Sequence, residues 1–135
     1  MKLMGIDYGK KRVGVALSDE GGRMAFPYKV INGGTSSFLE ILEICKTEGV
    51  LRVVIGESKT LSGKDNPLMK DINKIKDSLE ENKLDVYLEP EFFTTAEAER
   101  IQGDNDKTDA SAATLILQSY IDKAVNKSGD TKDLI

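Results

Sequence analysis

The sequence predicts an α/β domain built on a mixed five-stranded sheet with helices on its faces. Three observations lead there. Residues 2 to 31 hold three short strand patterns in immediate succession, separated by tight turn signals. A helical pattern then leads into a short, largely apolar strand, the sequence of a crossover between parallel strands. The rest alternates helix, strand and helix, giving the element order βββαβαβαα.

The first strand is expected over 2–8 and the second over 12–18, where Val13, Val15 and Leu17 alternate with small residues. Gly9, Lys10 and Lys11 make the turn between them. A third strand over 23–31 follows Gly21-Gly22, so the opening reads as an antiparallel meander. Thr35 or Ser36 caps the next helix, whose apolar face is Phe38, Ile41, Leu42 and Cys45 and whose end is Gly49. Leu51 to Ile55 is the fourth strand. The polar stretch "GESKTLSGKDNP", Gly56 to Pro67, is a loop.

A helix over 67–82 carries Leu68, Ile72, Ile75 and Leu79 on one stripe, and a fifth strand is expected over 84–88. Thr94 with Glu97 has the spacing of a capping box and starts a short helix. After the polar linker 103–107, "DASAATLILQSYIDKAV" predicts the last helix, with Ala113, Ile116, Leu117 and Tyr120 on its buried face. Residues 1–125 read as one domain and 126–135 as a flexible tail.

Composition narrows the chemistry. A chain of 135 residues, 39% hydrophobic and 31% charged, suits one domain with a real core. No apolar run approaches the roughly 18 residues of a membrane span, and Met1 leads straight into a strand, so a cytoplasmic protein without a membrane partner is expected. The only cysteine, Cys45, excludes an internal disulfide and a multi-thiolate zinc site; its place on an apolar helix face predicts core packing. Histidine is absent, which removes Ser-His-Asp and Cys-His machinery. Acid, base or metal chemistry therefore falls to carboxylates. The net charge of −4 argues against gripping nucleic acid by bulk electrostatics alone.

Three carboxylate positions stand out. Asp7 ends an apolar strand, where an uncompensated carboxylate is costly to bury. Asp109 opens the last helix on the side that carries Ala113, Ile116, Leu117 and Tyr120, and so points towards the sheet. A third acid follows the last strand and is either Glu89 or Glu91, because Pro90 makes side-chain parity unreliable. Clustered carboxylates repel unless bridged by a cation, and an all-oxygen set suits Mg²⁺ or Mn²⁺. On this reading Gly5 and Gly9 leave room for a metal and a phosphate to approach the backbone.

The stretches "GIDYGKKRVGVALSD", "FFTTAEAER" and "DASAATLILQSYID" together resemble the YqgF/RuvX family, described both as Holliday-junction resolvases and as pre-16S rRNA nucleases. The resemblance runs from about residue 2 to 123. It implies an RNase H-like fold and metal-dependent hydrolysis of phosphodiesters by acidic residues. By the same resemblance Asp7, Glu91 and Asp109 are the catalytic and metal-holding acids, and Glu91 is preferred to Glu89.

Lys10 and Lys107, close in sequence to these acids, are the expected substrate contacts. The implied partner is nucleic acid, precursor rRNA ahead of branched DNA; a junction resolvase would act as a symmetric homodimer. The chain departs from the family at Pro90-Glu91-Phe92-Phe93, where most members carry an Asp-Glu-Arg-Leu run. One acidic and one basic group beside Glu91 are thereby lost, the latter a bidentate phosphate ligand. That departure keeps a second class in view, a member that binds RNA or protein without efficient cleavage.

Overall fold

The computed structural model describes residues 1–9, 11–34, 36–57, 67–90 and 112–124. Its elements are β1 (Leu3–Tyr8), β2 (Arg12–Ser18), β3 (Ala25–Asn32), α1 (Ser37–Glu48), β4 (Arg52–Glu57), α2 (Pro67–Glu81) and β5 (Asp85–Pro90). A further helix, α3, covers 112–124. The expected helix after Thr94, the start of the last helix and the tail lie outside the described residues.

The strands form one sheet in the order β3-β2-β1-β4-β5. β1 pairs antiparallel with β2, and β2 with β3; β1 pairs parallel with β4, and β4 with β5. The first three strands are thus the predicted meander, and β4 and β5 are added by crossovers through α1 and α2. Both crossovers step in the same direction across the sheet, so the right-handed rule puts both helices on one face. That face holds the larger core, with Met4, Ile6, Val13 and Val15 packed against Ile41 and Ile44 of α1 and Ile72, Ile75 and Leu79 of α2. The opposite face packs Leu3, Ala16 and Val54 against Ala113, Ile116, Leu117 and Ile121 of α3. β1 is therefore buried on both sides, as an apolar central strand must be.

Local chemistry explains the boundaries. β3 begins at Ala25, two residues later than expected, because Asp19 closes the preceding turn by accepting from the N–H groups of Arg23 (2.7 Å) and Met24 (3.2 Å). These bonds to the ionised form, led by that from Arg23, hold the Asp19 carboxyl below its ordinary range. A bulge within β3 opposes Val15 with Lys29 and Ala16 with Pro27, leaving Tyr28 as the extra residue. Ser36 precedes α1 without a side-chain capping bond, and Gly49 ends it at φ 70°. β5 runs to Pro90, two residues beyond the expected end, because it is an edge strand where a missing N–H is tolerated.

Candidate active site

The carboxyl ends of the parallel strands β1, β4 and β5 define one edge of the sheet, the edge at which open α/β sheets place their ligands. Ile6 pairs with Ile55, and Gly56 pairs with Glu89. Asp7, Gly56 and Glu89 therefore stand level across three neighbouring strands. Asp7 shares the parity of Leu3 and Gly5 and faces α3. On its other flank Asp7 pairs with Gly14 of β2. The half-buried carboxylate of Asp7 thus stands between two positions that carry no side chain.

Helix α3 lies across the sheet face to which Asp7 points. Its Gln118 Oε1 accepts from the Ala25 N–H at 2.8 Å, and Ala25 pairs with Ser18. Ser18 Oγ in turn accepts from the Leu3 N–H at 2.7 Å. Arg52, the partner of Leu3 in β4, donates to the Tyr120 hydroxyl at 3.0 Å. Gln118 and Tyr120 thus reach β3 and β4, on either side of the central strands, while Ala113 and Leu117 lie over Gly5. The helix thus crosses β1 at Gly5.

Gly5 makes that approach close. A Cβ at this position would lie 2.6 Å from the Leu117 Cβ and 2.8 Å from the Ala113 carbonyl oxygen. The glycine serves helix packing, not space for a metal, which corrects the expectation. Gly9 likewise serves its turn: a Cβ there would meet the Arg12 carbonyl oxygen at 2.7 Å.

Glu89, the rival acid, is described and is engaged. It is 5% exposed, and its Oε2 accepts from Ser119 Oγ at 3.0 Å and Lys123 Nζ at 2.6 Å. These contacts fasten the end of β5 to α3. Nothing in the sequence signals them, since the partners are 30 and 34 residues away.

Glu91, Asp109, Lys10 and Lys107 lie outside the described residues. Among the described residues no group of three or more Asp, Glu, Cys or His side chains is placed to hold a metal ion. Cys45 is buried, and desolvation pushes its thiol up to about 11, as a packing role requires. Among the described residues no helix is long and apolar enough to cross a membrane.

The mixed sheet, with helices on both faces and an acid at the end of its central strand, has the RNase H-like fold of the RuvC-type resolvases. Thermus thermophilus RuvC, solved in complex with a Holliday junction substrate, matches with a TM-score of 0.61 at 16% identity over 96% of this chain and 97% of its own. The fowlpox virus resolvase, solved with Holliday junction DNA, matches with a TM-score of 0.59 at 12% identity over 93% and 99% of the two chains.

The chain belongs to the RuvX family, whose model, described as Holliday junction resolvase, matches residues 1–123. A relative from Desulforudis audaxviator, provisionally named pre-16S rRNA nuclease, is 39% identical over 96% of this chain and 98% of its own length. One from Maridesulfovibrio salexigens with the same provisional name is 36% identical over 92% and 100%.

Proposed function

We propose that this chain is a metal-dependent endonuclease that hydrolyses phosphodiesters in structured nucleic acid, with the 5′ region of precursor 16S rRNA as its substrate in the cytoplasm. The observation that carries this reading is the setting of Asp7. It sits at the carboxyl end of the central strand, between Gly14 and Gly56 and two residues beyond Gly5, on which α3 rests. In sequence, Asp109 stands three residues before the described start of α3, and Glu91 directly follows the last residue of β5. Chain connectivity thus ties Glu91 to the carboxyl end of β5 and Asp109 to the start of α3, which supports a site made by these three acids.

The donor set is all carboxylate oxygen, which suits Mg²⁺ or Mn²⁺. In this reading Asp7, Glu91 and Asp109 hold the metal, whose chemistry there is to stabilise phosphoryl charge and to activate water for in-line attack. Asp7, on the central strand, provides the fixed reference for the group. Lys10 and Lys107 neutralise substrate phosphates on either side of it, a contribution that salt weakens. The names of the relatives favour precursor rRNA; the resolvase neighbours supply the alternative substrate, a four-way DNA junction, for which two sites in a symmetric dimer are needed.

The test incubates the full chain with a precursor 16S rRNA fragment and with a four-way junction, in Mg²⁺, Mn²⁺ or EDTA. Metal-dependent cleavage of the rRNA, absent in Asp7→Asn, is the expected result. Preferential cutting of the junction would transfer the assignment to the resolvase. Binding of either substrate without cleavage in either metal would sink both readings.

A further inference from the structure

We propose that a cleft on the other side of the Asp7 edge receives one unpaired nucleobase of the strand bound at Asp7. The proposal rests on the nucleic-acid reading above and adds a specificity site to it. The cleft has a volume of about 370 Å³ and lies between the end of β1 and the helices α1 and α2. Its walls include Tyr8, Ser37, Phe38, Asp71, Lys74 and Ser78.

Position is the first argument. Tyr8 follows Asp7 directly in β1, so the two side chains leave the same strand end on opposite faces of the sheet. A strand of nucleic acid passing over this edge meets both. The second argument is chemistry. Tyr8 and Phe38 are half-buried at the margin of the core and offer aromatic surface, on which proteins stack unpaired bases. Asp71, Lys74 and Ser78 recur at helical spacing and line one side of α2.

An acceptor and a donor of opposite charge beside aromatic walls match the edge of a heterocycle that presents both N–H and carbonyl or ring nitrogen. A bare phosphate is disfavoured by the Asp71 carboxylate, and an apolar ligand by the two charges. Tyr8 is suited to hydrogen bonding in this place. Its phenol O–H lies at the cleft wall beside Ser37 and Asp71 and can donate to a ring nitrogen or carbonyl. The volume falls within the range of about 300–1,000 Å³ usual for small-ligand sites and exceeds the needs of a single base.

The test uses the full chain in Ca²⁺, with single-stranded RNAs carrying 2-aminopurine at successive positions. Fluorescence of the probe base is expected to fall at one position on binding. Ser78→Phe, which fills the cleft, should abolish that quenching and weaken binding about tenfold. Ser78→Ala, which leaves the cleft open, should retain both, and thermal melts of the two variants report that each is folded. Quenching and affinity that survive Ser78→Phe would overturn the proposal, as would the absence of quenching at every position. Failure of the nuclease reading shows separately, as no metal-dependent hydrolysis of bis(p-nitrophenyl) phosphate by the unmodified protein.

Discussion

Gly5 of β1 and Leu117 of α3 approach so closely that a Cβ on the glycine would stand 2.6 Å from that of the leucine. The helix therefore rests on the strand's backbone, and its height above the sheet is set by a missing side chain. Gly5→Ala must lift or slide α3, because the second obstacle, the Ala113 carbonyl oxygen at 2.8 Å, is itself backbone. A loss of about 1–3 kcal/mol of stability is expected, read from the shift of the urea midpoint. If α3 also sets the spacing between Asp7 and Asp109, metal affinity should weaken in the same variant. A Gly5→Ala protein with unchanged midpoint would refute this account of the packing.

The two acids around Pro90 should behave oppositely. Glu89 is bound by Ser119 and Lys123 on the α3 face, a structural duty, whereas Glu91 is the proposed metal ligand. Glu91→Gln is expected to lower cleavage about a hundredfold or more at unchanged stability. Lys123→Met leaves the buried Glu89 with Ser119 as its described hydrogen-bond donor and should cost about 1–3 kcal/mol. A double-mutant cycle between Lys123→Met and Glu89→Gln isolates their coupling from the loss of each side chain. Near-complete inactivation by Glu89→Gln, with Glu91→Gln active, would reverse the assignment.

Lys83 occupies the left-handed conformation at φ 67° in the turn after α2. Its N–H bonds to the Glu80 carbonyl at 3.0 Å and that of Leu84 to the Leu79 carbonyl at 3.2 Å, the bonds of a Schellman motif that normally ends on glycine. Lys83→Gly removes the Cβ strain and should raise stability by about 0.5–1 kcal/mol, less than the full strain because glycine also loosens the unfolded chain. Differential scanning calorimetry at neutral pH measures it. A lowered melting temperature would show that the turn draws support from the lysine side chain.

Much of this architecture is legible in the sequence because hydrophobic alternation and helical spacing report burial directly. The meander, both crossovers and the stripe Ile72, Ile75, Leu79 follow from that signal. The end of β5 does not, since proline reads as a terminator unless the strand is known to lie at an edge. The roles of Gly5 and Glu89 are equally hidden: each is defined by a contact with α3, about 30 to 110 residues away in the chain. Asp7 is recognisable as an awkward acid in an apolar strand. Its flanking glycines, Gly14 and Gly56, acquire meaning only through the register of β2 and β4.

Cys45 gives a prediction in pH. It lies on the buried face of α1, and burial pushes its thiol up to about 11, above the value of about 8.5 for a free cysteine. The folded state thus holds the proton more tightly than the unfolded state. The stabilisation is fully present below about pH 8.5 and is lost as pH rises towards 11, because only the unfolded chain ionises there. The urea midpoint of the protein should accordingly fall more steeply between pH 8 and 10 than that of Cys45→Ala, in which the other titrations are retained. In parallel, a disulfide reagent at pH 8 should label Cys45 slowly in the native protein and rapidly in denaturant. Fast labelling under native conditions, or identical pH profiles for the two proteins, would contradict a buried, protonated thiol.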